Sequence, residues 1–283
     1  MPDAIYSPIR YAGGKFYARQ LIVSLLPSHT AYCEPFAGGA SIFFAKAKAA
    51  HNWLNDKDGN LIRVYQVIRD QPEALITFLE AMPTPSKQTH TFFKKEYVPQ
   101  SDLEHAGRWY YLNRISYSGI MHMQNCYWSY GTAFNMLKEN WPHAIRAASD
   151  KLQRVTLTNE DYESVLDRIA DGTLLFVDPP YFNADQNRLY PVAFSFMDHV
   201  HLAIVLRRHA KRLSFLLTYD SCPEVRSLYD WVERIDDNEW NYRINRSDDQ
   251  KTKNRRKGSR GKGKELFIRN YTLLNDRFFL LAA

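Results

Sequence analysis

Apolar residues recur at helical spacing from Phe16 to Leu26, and Pro27 stops the run. The segment AYCE (31–34) reads as a short strand. It runs into the glycine turn PFAGGAS and a helix-like stretch to about Ala50. HNWLND (51–56) reads as a second strand ending in an acid, and NLIRVYQVIRD (60–70) as an amphipathic helix. Strand, glycine turn, helix, strand, acid and helix form the opening of a doubly wound parallel sheet.

The pattern changes between about 72 and 148. Pro72, Pro83, Pro85 and Pro99 punctuate short helical stretches, followed by RWYYLNRISYSGIMHMQNCYWSYGTAFN, dense in aromatics and without strand alternation. This part reads as a mostly helical insertion. The strand–helix rhythm resumes with RVTLTNED (154–161) and LLFVD (174–178). A helix over 197–213, a strand over 214–220, a helix over 222–230 and a late strand over 265–274 complete it. The predicted fold class is α/β, a doubly wound and mostly parallel Rossmann-like sheet with a helical insertion. Its parts are 1–71, 72–148 and 149–283.

Composition narrows the function. With 283 residues, 45% of them apolar, the chain can bury a full core, and no apolar run approaches a membrane span. The stretch MPDAIYSPIRYAGGK lacks an apolar signal core, so a cytoplasmic location is expected. Cys33, Cys126 and Cys222 make no CxxC or zinc pattern, and each reads as a small buried side chain. The formal charge of +6 is concentrated: KTKNRRKGSRGKGK (251–264) holds eight Lys or Arg and no acid. Such a loop suits a phosphate backbone.

Several predicted strands end in an acid: Glu34, Asp56 and Asp178, with Asp161 just beyond another. In an open parallel sheet the carboxyl ends of strands form the ligand rim, so these acids should gather there. Gly38 and Gly39 permit a tight turn and close approach to a ligand, although the turn is neither GxGxxG nor a phosphate loop. Asp56, 17 residues past Gly39, stands where a ribose-binding acid would. Asp58 reads as the cap of the following helix.

The sequence TLLFVDPPYFN (173–183) raises a sharper question, because a core strand tolerates no proline. A proline offers a carbonyl but no N–H. The Asp178 carboxylate and the Pro179 carbonyl can thus stand as two acceptors on a stiff backbone, matched to the two N–H bonds of a planar amine. Pro180 keeps the turn stiff, and Tyr181 can stack on the ring that carries the amine. The chemistry implied is transfer of an electrophilic group to the amino nitrogen of a base.

RYAGGK (10–15), EPFAGGAS (34–41), LND (54–56), NEDY (159–162) and DPPY (178–181) occur in the order that resembles Dam-like DNA adenine-N6 methyltransferases, the α-group of amino-methyltransferases. FSFMDHVHLA (194–203) and ELFIRNY (265–271) look like later blocks of that family. The resemblance implies S-adenosylmethionine as methyl donor and S-adenosylhomocysteine as product, with no metal. It implies that Tyr11 and Lys15 line the donor's methionine part and that the turn Glu34, Pro35, Phe36, Gly38 and Gly39 wraps it. Asp56 would take the ribose hydroxyls and Asp161, with Tyr162 beside it, the cofactor's adenine. Asp178, Pro179 and Tyr181 would hold the target adenine, with Asp178 also bordering the cofactor.

A target adenine must leave the duplex to reach such a pocket. The segment 72–148 is the natural target-recognition part, with Arg114, Tyr117, Asn125, Tyr127, Trp128 and Tyr130 as DNA-facing candidates. GATC-specific members carry an arginine-bearing hairpin with a Pro-Phe-Gly turn; here YSGIMHMQNCYWSYGTAFN stands in its place, leaving room for a different, short or relaxed target. Lys251, Lys253, Arg255, Arg256, Lys257 and Arg260 would make sequence-blind contacts with double-stranded DNA. A monomer without an obligate protein partner is expected. The rival readings are a methyltransferase acting on cytosine N4 or on adenine in RNA, and an inactive DNA-binding relative.

Overall fold

The computed structural model describes residues 4–129, 138–184, 193–241 and 262–273. Tyr130 and the basic residues Lys251, Lys253, Arg255, Arg256, Lys257 and Arg260 lie outside the described residues. The elements are α1 (Arg19–Ser24), β1 (Ala31–Glu34), α2 (Ser41–Ala45), β2 (His51–Asn55) and α3 (Gly59–Asp70). Next come α4 (Pro72–Ala81), α5 (Lys87–Lys95), α6 (Asp102–Ile115) and α7 (Trp141–Leu152). The chain continues through β3 (Val155–Thr158), α8 (Tyr162–Arg168), β4 (Leu174–Val177), α9 (Phe196–His209) and β5 (Ser214–Asp220). It ends with α10 (Pro223–Leu228), β6 (Arg234–Asn241) and β7 (Lys262–Arg269).

The strands form one sheet in the order β3-β2-β1-β4-β5-β7-β6 among the described residues. The first five are parallel, and β7 runs antiparallel between β5 and β6. The chain therefore winds outward from β1 and returns to the other side at β4. The β1/β4 boundary is the switch point where an open α/β sheet leaves a crevice.

Strand β4 shows why this centre is stable. Leu174 and Phe176 enter the apolar cluster on one face, and Leu175 and Val177 the cluster on the other. All four are buried, as a continuous apolar run in a doubly covered strand requires. Each contributes about 1.5–3 kcal/mol through burial. One face is covered by α2, α3 and α4 with α6 and α7, the other by α8, α9 and α10. The helices between 72 and 148 share the first of these clusters with the sheet: Tyr110, Leu112 and Ile145 belong with Tyr32, Leu54 and Phe176. Gly107 lets α6 approach α4 closely, since a Cβ there would stand 2.2 Å from Phe78.

Four expectations about elements are corrected. The first helix is confined to Arg19–Ser24. Helix α2 stops at Ala45 rather than near Ala50, because Lys151 Nζ takes the carbonyls of Phe44 and Lys46, and Asn52 closes a turn on Ala49. Strand β7 ends at Arg269, five residues short of 274, because the Asn270 side chain turns back to Phe215, Ala210 and Leu213. RIDDNEWN forms β6, a strand that the hydrophobic pattern does not announce. All three cysteines are free and buried.

Candidate active site

The parallel register brings the strand ends together. Asn55 lies opposite Thr158, Leu54 opposite Glu34, and Val177 opposite Leu217. The turn after β1 is stapled to the end of β2: Ala37 N donates to Asn55 O, and Gly38 N to Asp56 Oδ2 at 2.8 Å. Tyr65 on α3 donates to Gly38 O. Gly38 has φ +46°, and a Cβ on it or on Gly39 would come within 2.9 Å of Tyr11. The two glycines therefore make room for the Tyr11 side chain, Gly38 for its ring and Gly39 for its Cβ, rather than merely loosening the turn.

These elements enclose a cavity of about 290 Å³. Tyr11, Lys15, Glu34, Pro35, Phe36, Gly38, Gly39, Asp56, Asp161, Tyr162, Asp178, Pro179 and Pro180 all line it. Phe36 stacks against Tyr162 at 5.1 Å and meets Phe194 edge-on at 5.7 Å, forming an aromatic wall. Tyr162 is fixed from outside by its hydroxyl's contact with His201 Nδ1 at 2.9 Å. Asp56 accepts from both Gly38 and Asp58 backbone N–H groups, and burial still pushes its pKa up to about 6. Asp58 caps α3 through Asn60 N, as its position suggested. Asp161 caps α8 and keeps an ion pair with Lys57.

Glu34 is more deeply placed than a ligand-wrapping residue. Its Oε1 accepts from Tyr32 Oη and Phe43 N, both at 2.7 Å, and burial pushes its pKa up to about 8. It brackets β1 to α2.

The decisive constellation surrounds Asp178. Lys15 Nζ donates to both of its oxygens, at 2.6 and 2.8 Å, and to Gly13 O. Thr218 Oγ1 on β5 donates to Asp178 Oδ1 at 2.7 Å. A carboxylate offers about four acceptor positions, so these three bonds orient Asp178 and take up most of its capacity, with Lys15 across both oxygens. Lys15 is 5% exposed and ties the AGGK turn to Asp178. Tyr181 stands outside the cavity wall, its ring 4.8 Å from Lys15 Nζ and 6.1 Å from Tyr219. The loop after the prolines is held by Asp220, which accepts from Phe182 N and from the backbone and side chain of Asn183.

Sequence reasoning missed Thr218, Asp220 and Glu265. Thr218 and Asp220 sit two apart at the end of an apolar strand, the spacing of one sheet face, and that is the signal they carried. Glu265 opens the last apolar run and is 1% exposed beside the site.

The expected DNA-facing residues divide. Tyr117 and Tyr127 are 38% and 57% exposed, and Lys94 Nζ stands 5.4 Å over the Tyr127 ring. Asn125 is half-buried against His122. Trp128 packs edge-on against His90. Arg114 corrects its expectation: it is 4% exposed, packed within α6 with Nη1 toward Pro8 O, and presents no surface to a duplex.

Residues 11–244 match the D12 class N6 adenine-specific DNA methyltransferase family, a span that contains every residue lining the cavity. The chain belongs to this family. It is thus an adenine-specific DNA methyltransferase, a transferase acting on DNA. It is 28% identical over 241 residues to a DNA N-6-adenine-methyltransferase of Escherichia phage P1, covering 79% of this chain but 31% of that protein. It is 25% identical to the Type II methyltransferase M1.LlaDCHI of Lactococcus lactis subsp. cremoris, covering 93% and 94% of the two chains. It is 24% identical to a DNA adenine methylase of Escherichia coli (strain K12), covering 69% and 73%. No described helix is long and apolar enough to cross a membrane, and no described group of His, Cys, Asp and Glu is arranged to hold a metal.

Methyltransferases of this kind use S-adenosylmethionine. The lining of the cavity fits it: besides the protonated Glu34, six acids, Asp56, Asp58, Glu160, Asp161, Asp178 and Asp198, face two lysines, Lys15 and Lys57. Such a wall favours a cation, and its aromatic end favours a purine.

Proposed function

We propose that this methyltransferase transfers the methyl group of S-adenosylmethionine directly to the N6 amine of an adenine extruded from double-stranded DNA. When bound, the cofactor supplies an electrophilic methyl group on a sulfonium. The chain's own residues do the rest. Tyr11, Phe36, Asp56, Asp161 and Tyr162 hold the cofactor, with Gly38 and Gly39 giving it room. Once Lys15 gives way, Asp178 accepts one N–H of the target amine, and the Pro179 carbonyl accepts the other. The amine then loses planarity and presents its lone pair, and after the methyl has arrived the surplus proton passes along the N–H bond to the Asp178 carboxylate and from there to solvent. Tyr181 is the stacking surface for the target ring once Lys15 gives way.

The observation that carries this reading is the Asp178 carboxylate, oriented by Lys15 and Thr218 in the wall of a cation-favouring cavity. Tritium transfer from labelled cofactor to DNA tests it, followed by nucleoside analysis. N6-methyladenine is the expected product. N4-methylcytosine, or label in RNA alone, would sink the reading.

The segment 72–148 serves as the target-recognition part, with Tyr117, Asn125 and Tyr127 toward the DNA, and the basic stretch 251–264 holds phosphates. We infer a short or relaxed recognition sequence and a monomeric enzyme. Single-molecule sequencing of DNA methylated by the protein tests the former; one long consensus would refute it.

A further inference from the structure

Asp178 has a conflict built into its surroundings. It must receive an amine, yet Lys15 already spans both of its oxygens. An ammonium released from Asp178 into a site where it is 5% exposed needs another anion. Glu265 stands ready for it. It lies on β7 opposite Asp220, is 1% exposed, and both its carboxylate oxygens are buried without a hydrogen-bond partner at normal geometry. Buried polar atoms left in that state are rare in folded proteins and mark a strained or functional position.

The groups that face Glu265 come from three sides. Burial raises its pKa most, to about 7. Lys15 opposes that shift, Asp178 adds to it, the Tyr181 hydroxyl opposes it, and Asp220 on β5 adds to it. On its other flank its pairing partner on β6 is the uncharged Asn238. Lys15 therefore lies in the field of two carboxyl groups, one bonded and one held in reserve.

We propose that Glu265 is a positioning residue, a second carboxyl for Lys15 that draws the ammonium off Asp178 when the target amine arrives. It touches neither substrate nor cofactor; it acts through Lys15. This rests on the assignment of Asp178 as the acceptor of the target amine. Ionised Glu265 attracts Lys15 and opens Asp178, whereas protonated Glu265 leaves Lys15 where it is. Methyl transfer should therefore rise with pH through the neutral range.

The test is the single-turnover rate at saturating DNA and cofactor between pH 5.5 and 9. The wild type should show a rising limb centred near the Glu265 pKa of about 7. Glu265→Gln, which keeps shape and burial, should lose that limb and run about tenfold slower at pH 8, the loss of one charge-assisted interaction. Its cofactor affinity should stay unchanged. Glu265→Asp should recover part of both rate and limb. A Glu265→Gln enzyme with wild-type rate and limb overturns the proposal. So does a lowered melting temperature with the limb intact, since that is a purely structural role. Asp178→Asn is assayed alongside. If Asp178→Asn is fully active, the acceptor assignment itself fails; if it is inactive while Glu265→Gln behaves as wild type, the positioning role alone fails.

Discussion

Lys15 donates to both carboxylate oxygens of Asp178 across 163 residues of chain. This pair joins the N-terminal AGGK turn, which borders the cavity, to the loop proposed to receive the target amine. Asp178→Asn should lower methyl transfer by about 10²–10³-fold, the cost of removing a preorganised electrostatic interaction, while cofactor affinity persists. Asp178→Ala should in addition remove the acceptor oxygen that asparagine keeps for Lys15 and Thr218, and cost about 1–3 kcal/mol more of stability. Denaturant unfolding separates the two variants. Equal stability of both would show that the pair is not tightly coupled.

Thr218→Val removes the 2.7 Å bond to Asp178 without changing side-chain shape. The carboxylate then keeps Lys15 but loses its fixed orientation. The expected outcome is about a tenfold fall in kcat/KM, worth about 1–1.5 kcal/mol, with the melting temperature little changed. Steady-state kinetics on a short duplex checks it, and wild-type kcat/KM would exclude an orienting role for Thr218.

Asp220 satisfies the backbone N–H groups of Phe182 and Asn183, yet neither it nor those residues line the cavity. Asp220→Ala should therefore separate the two ligands. DNA KM rises and kcat falls, each by about three- to tenfold, from the loss of hydrogen bonds to a charged acceptor. Cofactor affinity by calorimetry stays put. A matching loss of cofactor affinity would place Asp220 in the cofactor wall instead.

How much of this was legible follows from where each residue gets its role. LLFVD declared a doubly buried strand because its apolar run is local and continuous, and the capping role of Asp58 followed from its place ahead of a helix. Gly38 and Gly39 announced a tight turn, but their partner Tyr11 lies far back in the chain, so the reason for two glycines became visible only in the fold. RIDDNEWN carries three acids and no alternation; pairing with β7 makes it a strand, and a propensity reading cannot see that partner. A hydroxyl within SFLLTYD or a lone acid before LFIR has no motif of its own. Arg114 failed for the opposite reason: an arginine among aromatics looks like a contact surface until the packing of α6 is known.

Glu34 makes stability depend on pH. Burial raises its pKa from 4.5 to about 8, so between those values the folded chain holds a proton that the unfolded chain has released. Its contribution is complete below about pH 4.5 and is lost as pH rises through 8. Asp56, raised from 3.8 to about 6, acts in the same direction over a lower window. Glu34→Gln retains an acceptor for Tyr32 and Phe43 and removes the titration. Its melting temperature should fall less than that of the wild type between pH 5 and pH 8. Parallel curves would mean that Glu34 does not titrate in this range.

Replacing Lys251, Lys253, Arg255, Arg256, Lys257 and Arg260 by serine should weaken DNA binding uniformly across sequences. The slope of log affinity against log salt should flatten by about 0.9 for each phosphate that is no longer neutralised. Fluorescence anisotropy at several salt concentrations measures it. An unchanged slope would show that these residues touch no phosphate.

Strand β7 lies between β5 and β6, although β6 precedes it in the chain. During synthesis β6 emerges with no neighbour to pair with, and the edge of β5 stays open until Lys262–Arg269 arrives. The same strand carries Glu265. A ribosome that has released Tyr11 through Asp220 has already made the residues of the cavity, but not the strand that closes the sheet beside them. With Glu265 acting as proposed, competence to methylate waits on β7, and a nascent chain stalled before residue 262 should hold an unfinished sheet and no working site.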